Sequence, residues 1–175
     1  TIEKINQNLK KKIFITGIFG NTLKNKYQFE NTYIVPGEPE FFFDSLEANS
    51  DAYDNFFKEN KKLFHHKLSS DITKLPYPDW EYYTKKYPLK NNFLGFDSNI
   101  AVPILATRGC PYSCFNYCTY PLQQGRKVRS REVDDIIDEM FHWQKILHTN
   151  KFIFRDPVFS INRKFTEKLC ERIIE

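Results

Sequence analysis

The chain has no apolar run long enough to cross a bilayer, which takes about 20 consecutive apolar residues. Nothing at its start has the charged, apolar, small-residue order of a signal peptide, so a cytoplasmic location is expected. Cysteine is scarce, with four in 175 residues, and the four are not spaced as a framework, which excludes a disulfide-stapled secreted domain. Methionine is scarcer still: Met140 is the only one and the first residue is Thr1. The chain therefore reads as an internal fragment of a longer protein, with Glu175 falling inside a helical pattern. A strong excess of one charge is also missing. The net charge of +4 comes from lysines scattered among acids and aromatics, which builds no basic face, so nucleic acid is not an expected partner. With 41% hydrophobic and 27% charged residues, the composition is globular and sufficient for one or two domains.

Against that scarcity, three of the four cysteines fall within nine residues: Cys110, Cys114 and Cys118. Clustered thiols in a reducing compartment point to a metal. Soft sulfur ligands suit zinc, copper(I) or iron-sulfur clusters, and three of them leave one coordination position open for chemistry. Structural zinc sites usually take four ligands and commonly use C-x2-C pairs, neither of which appears. The same spacing would make a stripe on a helix, but Gly109, Pro111, Ser113 and Pro121 favour a tight loop. Cys170 lies in an amphipathic helical pattern, where a lone cysteine is expected to be a small buried hydrophobe.

The rest of the chain alternates strand and helix signals. Lys12 to Gly17 is a short apolar run closed by glycine, and it predicts a buried strand followed by a loop that carries Gly17 and Gly20. Thr32 to Val35 predicts a second strand leading to Gly37, with a helix opening over Phe41 to Leu46. Glycines just beyond strands stand where open α/β sheets bind ligands, and ordinary strand exits account for them equally. Residues 47–99 are aromatic, charged and rich in proline, with a helical stretch over Asp51 to Leu63; this reads as a linker that packs on a neighbouring domain. His65 and His66 are adjacent and diverge in any regular structure, so they make no metal pair. Ile100 to Ala106 predicts a strand with the cysteine loop beyond its end. Ser130 has the character of a helix N-cap, followed by Glu132, Asp134 and Asp135 in the first turn. Val133, Ile136, Ile137, Met140 and Leu147 mark the buried face of that helix. Lys151 to Arg155 predicts another strand, and Phe165, Leu169 and Ile173 another helix, capped by Asn162. This order predicts an α/β fold with parallel strands and right-handed crossovers.

The run Ala106-Thr-Arg-Gly-Cys110-Pro-Tyr-Ser-Cys114-Phe-Asn-Tyr-Cys118-Thr-Tyr-Pro121 resembles the cluster loop of the radical S-adenosylmethionine (SAM) enzymes. Arg129-Ser-Arg131, the acidic helix after it, and Phe154-Arg-Asp156 with Phe159 are similar to members that carry an N-terminal cobalamin-binding domain. Ile13-Phe-Ile-Thr-Gly17 and Val35-Pro-Gly-Glu-Pro-Glu40 resemble the end of that domain, and Leu75-Pro-Tyr-Pro-Asp-Trp80 resembles its linker. The family pattern is C-x3-C-x2-C, whereas this chain has C-x3-C-x3-C, one residue more at Phe115 or Asn116.

The resemblance implies three parts: residues 1–46 as the C-terminal part of a Rossmann-like cobalamin-binding domain, 47–99 as a packed linker, and 100–175 as the first βα units of a partial TIM-type barrel. It implies that Cys110, Cys114 and Cys118 hold a 4Fe-4S cluster whose fourth iron chelates SAM. An electron from the cluster would cleave SAM to a 5′-deoxyadenosyl radical, leading to C-methylation, rearrangement or cyclisation. Tyr117 is the expected neighbour of the adenine, Arg155 and Asp156 contact SAM, and Gly17, Gly20 and Gly37 let cobalamin approach the backbone. Expected partners are a small-molecule or metabolite substrate and an electron donor such as flavodoxin or ferredoxin. Two other readings are a zinc-binding interaction module and a non-catalytic remnant of the family.

Overall fold

A computed structural model describes residues 12–17, 31–35, 37–40, 42–43, 71–73, 75–86, 101–114 and 117–175. The elements among them, in chain order, are β1 (Ile13–Thr16), β2 (Thr32–Val35), α1 (Trp80–Lys86), β3 (Ala101–Ile104), β4 (Thr107–Arg108), α2 (Tyr120–Gln124), β5 (Arg129–Ser130), α3 (Val133–Leu147), β6 (Lys151–Phe154) and α4 (Arg163–Ile174). The fold is mixed α/β with small parallel sheets. It divides into two compact units, Thr1–Ser70 with Gly109–Val128, and Asp71–Arg108 with Arg129–Glu175.

In the first unit β1 and β2 pair in parallel, from Ile13 opposite Thr32 to Thr16 opposite Val35. Both are short runs rich in β-branched and aromatic residues, the composition that fits a pleated, half-buried surface. Phe14 stacks on Tyr33 with ring centroids 5.4 Å apart and also meets Phe42, which together with Val35 is buried. Both strands exit through glycines in the left-handed region, Gly17 at φ +66° and Gly37 at φ +87°. A side chain is strained there, which is why glycine serves at both places. Gly20, most of the expected helix start over Phe41 to Leu46, the Asp51 to Leu63 stretch, His65 and His66 lie outside the described residues.

The second unit is a βαβα run. β3 and β6 pair in parallel, Ala101 opposite Lys151 through Ile104 opposite Phe154, with α3 in the crossover. Side chains alternate across a strand, so Val102 and Ile104 of β3 and Phe152 and Phe154 of β6 turn to one core. α3 packs Val133, Ile136, Ile137 and Trp143 into it, and α4 adds Leu169. Ile136 and Leu169 are fully buried; truncating such a side chain to alanine typically costs about 2–5 kcal/mol. Asn162 caps α4 as expected, its side-chain oxygen accepting from the Phe165 N–H at 3.2 Å. Asp79 caps α1 in the same way, accepting from the Tyr82 N–H at 2.8 Å.

Three expectations are corrected. Ser130 is not the cap of α3: it pairs with Thr107 in the antiparallel β4–β5 bridge, and Glu132 occupies the cap position without a side-chain hydrogen bond. A serine ahead of an acidic helix start can satisfy its backbone in either way, and here the bridge takes it. Cys170 is exposed rather than buried, because Leu169 takes the inward position on α4 and the next residue is turned by about 100°. The strand expected over Ile100 to Ala106 is shorter, ending at Ile104. Ile100 lies outside the described residues.

Candidate metal centre at the cysteine loop

The cysteine loop follows β3 and β4. The exit of β3 is held by Asp156, just past β6. Its carboxylate accepts from the Ala106 N–H at 3.2 Å, from the Thr107 hydroxyl at 2.6 Å and from the Thr107 N–H. Within the segment Gly109–Val128, the return limb clasps the outgoing one. The Gly109 N–H donates to the Gln124 side-chain oxygen and the Cys110 N–H to the Gly125 carbonyl, each at 3.1 Å. Gly109 has φ +99°, and a Cβ there would collide with the Lys127 carbonyl oxygen, so no other residue fits the position without displacing backbone. Arg126 reaches back from the return limb: its Nη1 donates to Ser113 Oγ at 2.9 Å and to the Tyr112 carbonyl at 3.3 Å. Pro121 falls in the first turn of the short helix α2, where its missing N–H has no intrahelical role.

All three loop cysteines are free thiols: Cys110 is buried, Cys118 half-buried and Cys114 exposed. The loop thus offers three soft donors and no disulfide, a donor set that fits an iron-sulfur cluster with one open iron. The sulfurs are not drawn together, however, since no three His, Cys, Asp or Glu side chains among the described residues are grouped closely enough to hold a metal ion. Phe115 and Asn116, where the additional residue falls, lie outside the described residues.

Tyr117 is 76% exposed on the loop. Gly17 is near the return limb, with a Cβ position 3.6 Å from the Gln123 amide nitrogen. Arg155 stands exposed at the end of β6 and lines a cavity of about 280 Å³ with Arg108, Arg131 and the apolar side chains of Leu75, Tyr77, Trp80 and Leu105. Asp156, the other residue expected to contact SAM, has its carboxylate engaged by the backbone after β3 and by the Thr107 hydroxyl.

Sequence reasoning missed the polar network beside this cavity. Arg131 bonds Asp135 at 2.7 Å, the nearly inaccessible Glu139, and the Leu105 carbonyl at 3.1 Å. Burial works against the Arg131 charge, but its hydrogen bonds to Asp135 and Glu139 outweigh burial and hold its pKa above the ordinary value. Tyr77 joins the network through Asp135 and lies under the Arg131 guanidinium, 5.6 Å from ring centroid to Cζ. Asp135 and Glu139 stand four apart on α3, a spacing that puts them on one helix face; that was the available signal.

No protein-family model matches the chain. Three curated proteins do resemble it. The bacteriochlorophyllide d C-12(1)-methyltransferase of Chlorobaculum tepidum is 29% identical over 166 residues, which is 91% of this chain and 33% of that protein. The ribosomal protein uS12 methylthiotransferase RimO of Dictyoglomus thermophilum is 31% identical over 139 residues, 77% of this chain and 26% of that protein. An uncharacterized methyltransferase of Pyrococcus horikoshii is 32% identical over 74 residues, 40% of this chain and 15% of that protein. The chain therefore spans about a third or less of the relatives it matches. All three names describe enzymes that transfer methyl or methylthio groups, which suggests an enzyme here and supports, coarsely, the radical SAM resemblance of the loop. Among the described residues no helix is long and apolar enough to cross a membrane.

Proposed function

We propose that this chain is the cofactor-binding portion of a cobalamin-dependent radical SAM enzyme that transfers a methyl group to a small-molecule substrate. The observation that carries the reading is the loop itself: three free thiols within nine residues, beginning just past β4 and clasped by its return limb. Similarity to two methyltransferases and a methylthiotransferase favours group transfer over rearrangement or cyclisation. In this reading residues 1–46 close a Rossmann-like domain, 47–99 link the parts, and 100–175 begin a partial TIM-type barrel.

Cys110, Cys114 and Cys118 would hold the cluster, and a bound 4Fe-4S cluster supplies the electron that cleaves SAM. The chain's own residues do the positioning. Asp156 fixes the backbone from which the loop departs. Arg155, with no ion pair of its own among the described residues, offers a guanidinium to the SAM carboxylate, and Tyr117 offers an aromatic face to the adenine. Gly17 and Gly37 would leave room for cobalamin at the strand exits, and the resemblance adds Gly20, which lies outside the described residues. Metal binding and ordering of ligands are coupled, so loading of a cluster would draw the three sulfurs together. A reduced flavodoxin or ferredoxin is the expected electron donor.

The test is anaerobic reconstitution with iron and sulfide, followed by iron and sulfide analysis and visible absorption, on the native chain and on Cys110→Ala, Cys114→Ala and Cys118→Ala. The reading requires stoichiometric iron and sulfide with charge-transfer absorption in the native chain only. Stoichiometric zinc with no cluster would overturn it.

A further inference from the structure

We infer that Arg126 is a positioning residue for the metal-ligand loop, holding the turn between Cys110 and Cys114 in shape before any metal arrives. This rests on the reading of that loop as a ligand loop, but the geometry stands without a metal. One guanidinium nitrogen, Nη1, is turned onto three consecutive residues: Ser113 Oγ at 2.9 Å, the Tyr112 carbonyl at 3.3 Å and, at the outer limit, the Pro111 carbonyl at 3.5 Å. These three residues are the whole of the spacer between the first two cysteines.

Pro111, Tyr112 and Ser113 are exposed and belong to no helix or strand, so no ladder fixes their carbonyl directions. The backbone clasp ends at Cys110, where the last main-chain bond runs to Gly125. Beyond it Arg126 is the next residue of the return limb, and its side chain continues the clasp where the backbone stops. Hydrogen bonds from a charged donor are roughly twice as strong as neutral ones, and the rigid fork of arginine loses less freedom per bond than a lysine stem. Gln124, Gly125 and Arg126 therefore act in succession, each holding a residue or residues further along the outgoing limb: Gly109, Cys110, then Pro111 to Ser113.

The test compares the native chain with Arg126→Ala and Arg126→Lys, first as metal-free, reduced protein. Chymotrypsin cleavage after Tyr112, which is 53% exposed, is read by fragment mass against cleavage after Tyr82, which is 60% exposed on α1 and serves as the reference. The inference requires Arg126→Ala to speed cleavage after Tyr112 several-fold relative to Tyr82, and Arg126→Lys to recover part of the protection. An unchanged ratio overturns it, as does an equal rise at both sites, which would mean general loosening. The second readout is iron retained against a chelator after reconstitution, expected to fall in the order native, lysine, alanine. A native chain that takes up no cluster would defeat the proposed function while leaving the cleavage result to decide on Arg126.

Discussion

The Tyr77 hydroxyl donates to the Asp135 carboxylate at 3.1 Å and lies 3.2 Å from the Asp135 carbonyl oxygen. This contact joins residues separated by 58 positions and fastens the proline-rich stretch before α1 to the first turn of α3. Because the hydroxyl is desolvated and faces a carboxylate, losing its proton is unfavourable. Burial first, then the Asp135 charge, raise the Tyr77 pKa from 10.0 to about 12.

That shift gives a pH prediction with a definite sign. The folded state holds the Tyr77 proton more tightly than the unfolded state, so its contribution is fully present below pH 10 and is lost as pH rises toward about 12. Other tyrosines and lysines titrate in the same window, so the quantity to measure is the difference between the native chain and Tyr77→Phe. Urea midpoints should show native protein more stable than Tyr77→Phe by about 1 kcal/mol at neutral pH. The gap should narrow between pH 10 and 12. A gap that stays constant across that window would contradict the hydrogen bond.

Arg131 and Glu139 test a different kind of burial. Their side chains are only 10% and 2% exposed, so removing one partner strands a charge where water cannot reach it. Arg131→Met should cost about 3–5 kcal/mol by urea unfolding. Adding Glu139→Met to the same chain should recover much of that loss, because two apolar side chains replace a desolvated pair. If the double variant is as unstable as the single one, the guanidinium bonds to Asp135 and the Leu105 carbonyl matter more than the pair.

The parts of this fold that were legible in the sequence are those whose signal is local. Ile13–Thr16, Thr32–Val35 and Lys151–Phe154 are short apolar runs bounded by turn residues, and they form strands. Asn162 precedes a helical pattern with no competing partner, and it caps. Ser130 looked the same but met Thr107 across a bridge, and nothing near Ser130 announces a partner so far back along the chain. Glu139 was hidden for a related reason: it shares the buried stripe of α3 with Ile136 and Trp143, but a charged residue is assigned to solvent unless its counter-charge is known. The cysteine loop was legible as a thiol cluster. Its clasp was not, since side-chain bonds from Gln124 and Arg126 to irregular backbone follow no period.

Asp156 provides a test of the strand end. Its carboxylate takes three hydrogen bonds from Ala106 and Thr107, and bonds to a charged acceptor contribute about 1.5–3 kcal/mol. Asp156→Ala, which removes all three, should therefore destabilise by at least that much, and Thr107→Val, which removes the hydroxyl's bond alone, by about 1.5–3 kcal/mol. Thermal or urea unfolding without metal or SAM measures both. A stability unchanged in Asp156→Ala would mean that these bonds do not hold the strand end.

Gly109→Ala probes the clasp where it is tightest. The position combines φ +99° with a Cβ that would strike the Lys127 carbonyl oxygen, so alanine must either adopt a backbone that strains it by about 1–3 kcal/mol or push the two limbs apart. Moving the limbs breaks the Gly109 to Gln124 and Cys110 to Gly125 bonds that set the direction of the first thiol. The expected result is less cluster iron after reconstitution, although all three cysteines remain. Cys114→Ala, which removes a ligand and leaves the clasp intact, should lose iron without exposing Tyr112 to chymotrypsin; Gly109→Ala should do both. If Gly109→Ala loads iron like the native chain, the clasp is not what presents Cys110 to the metal.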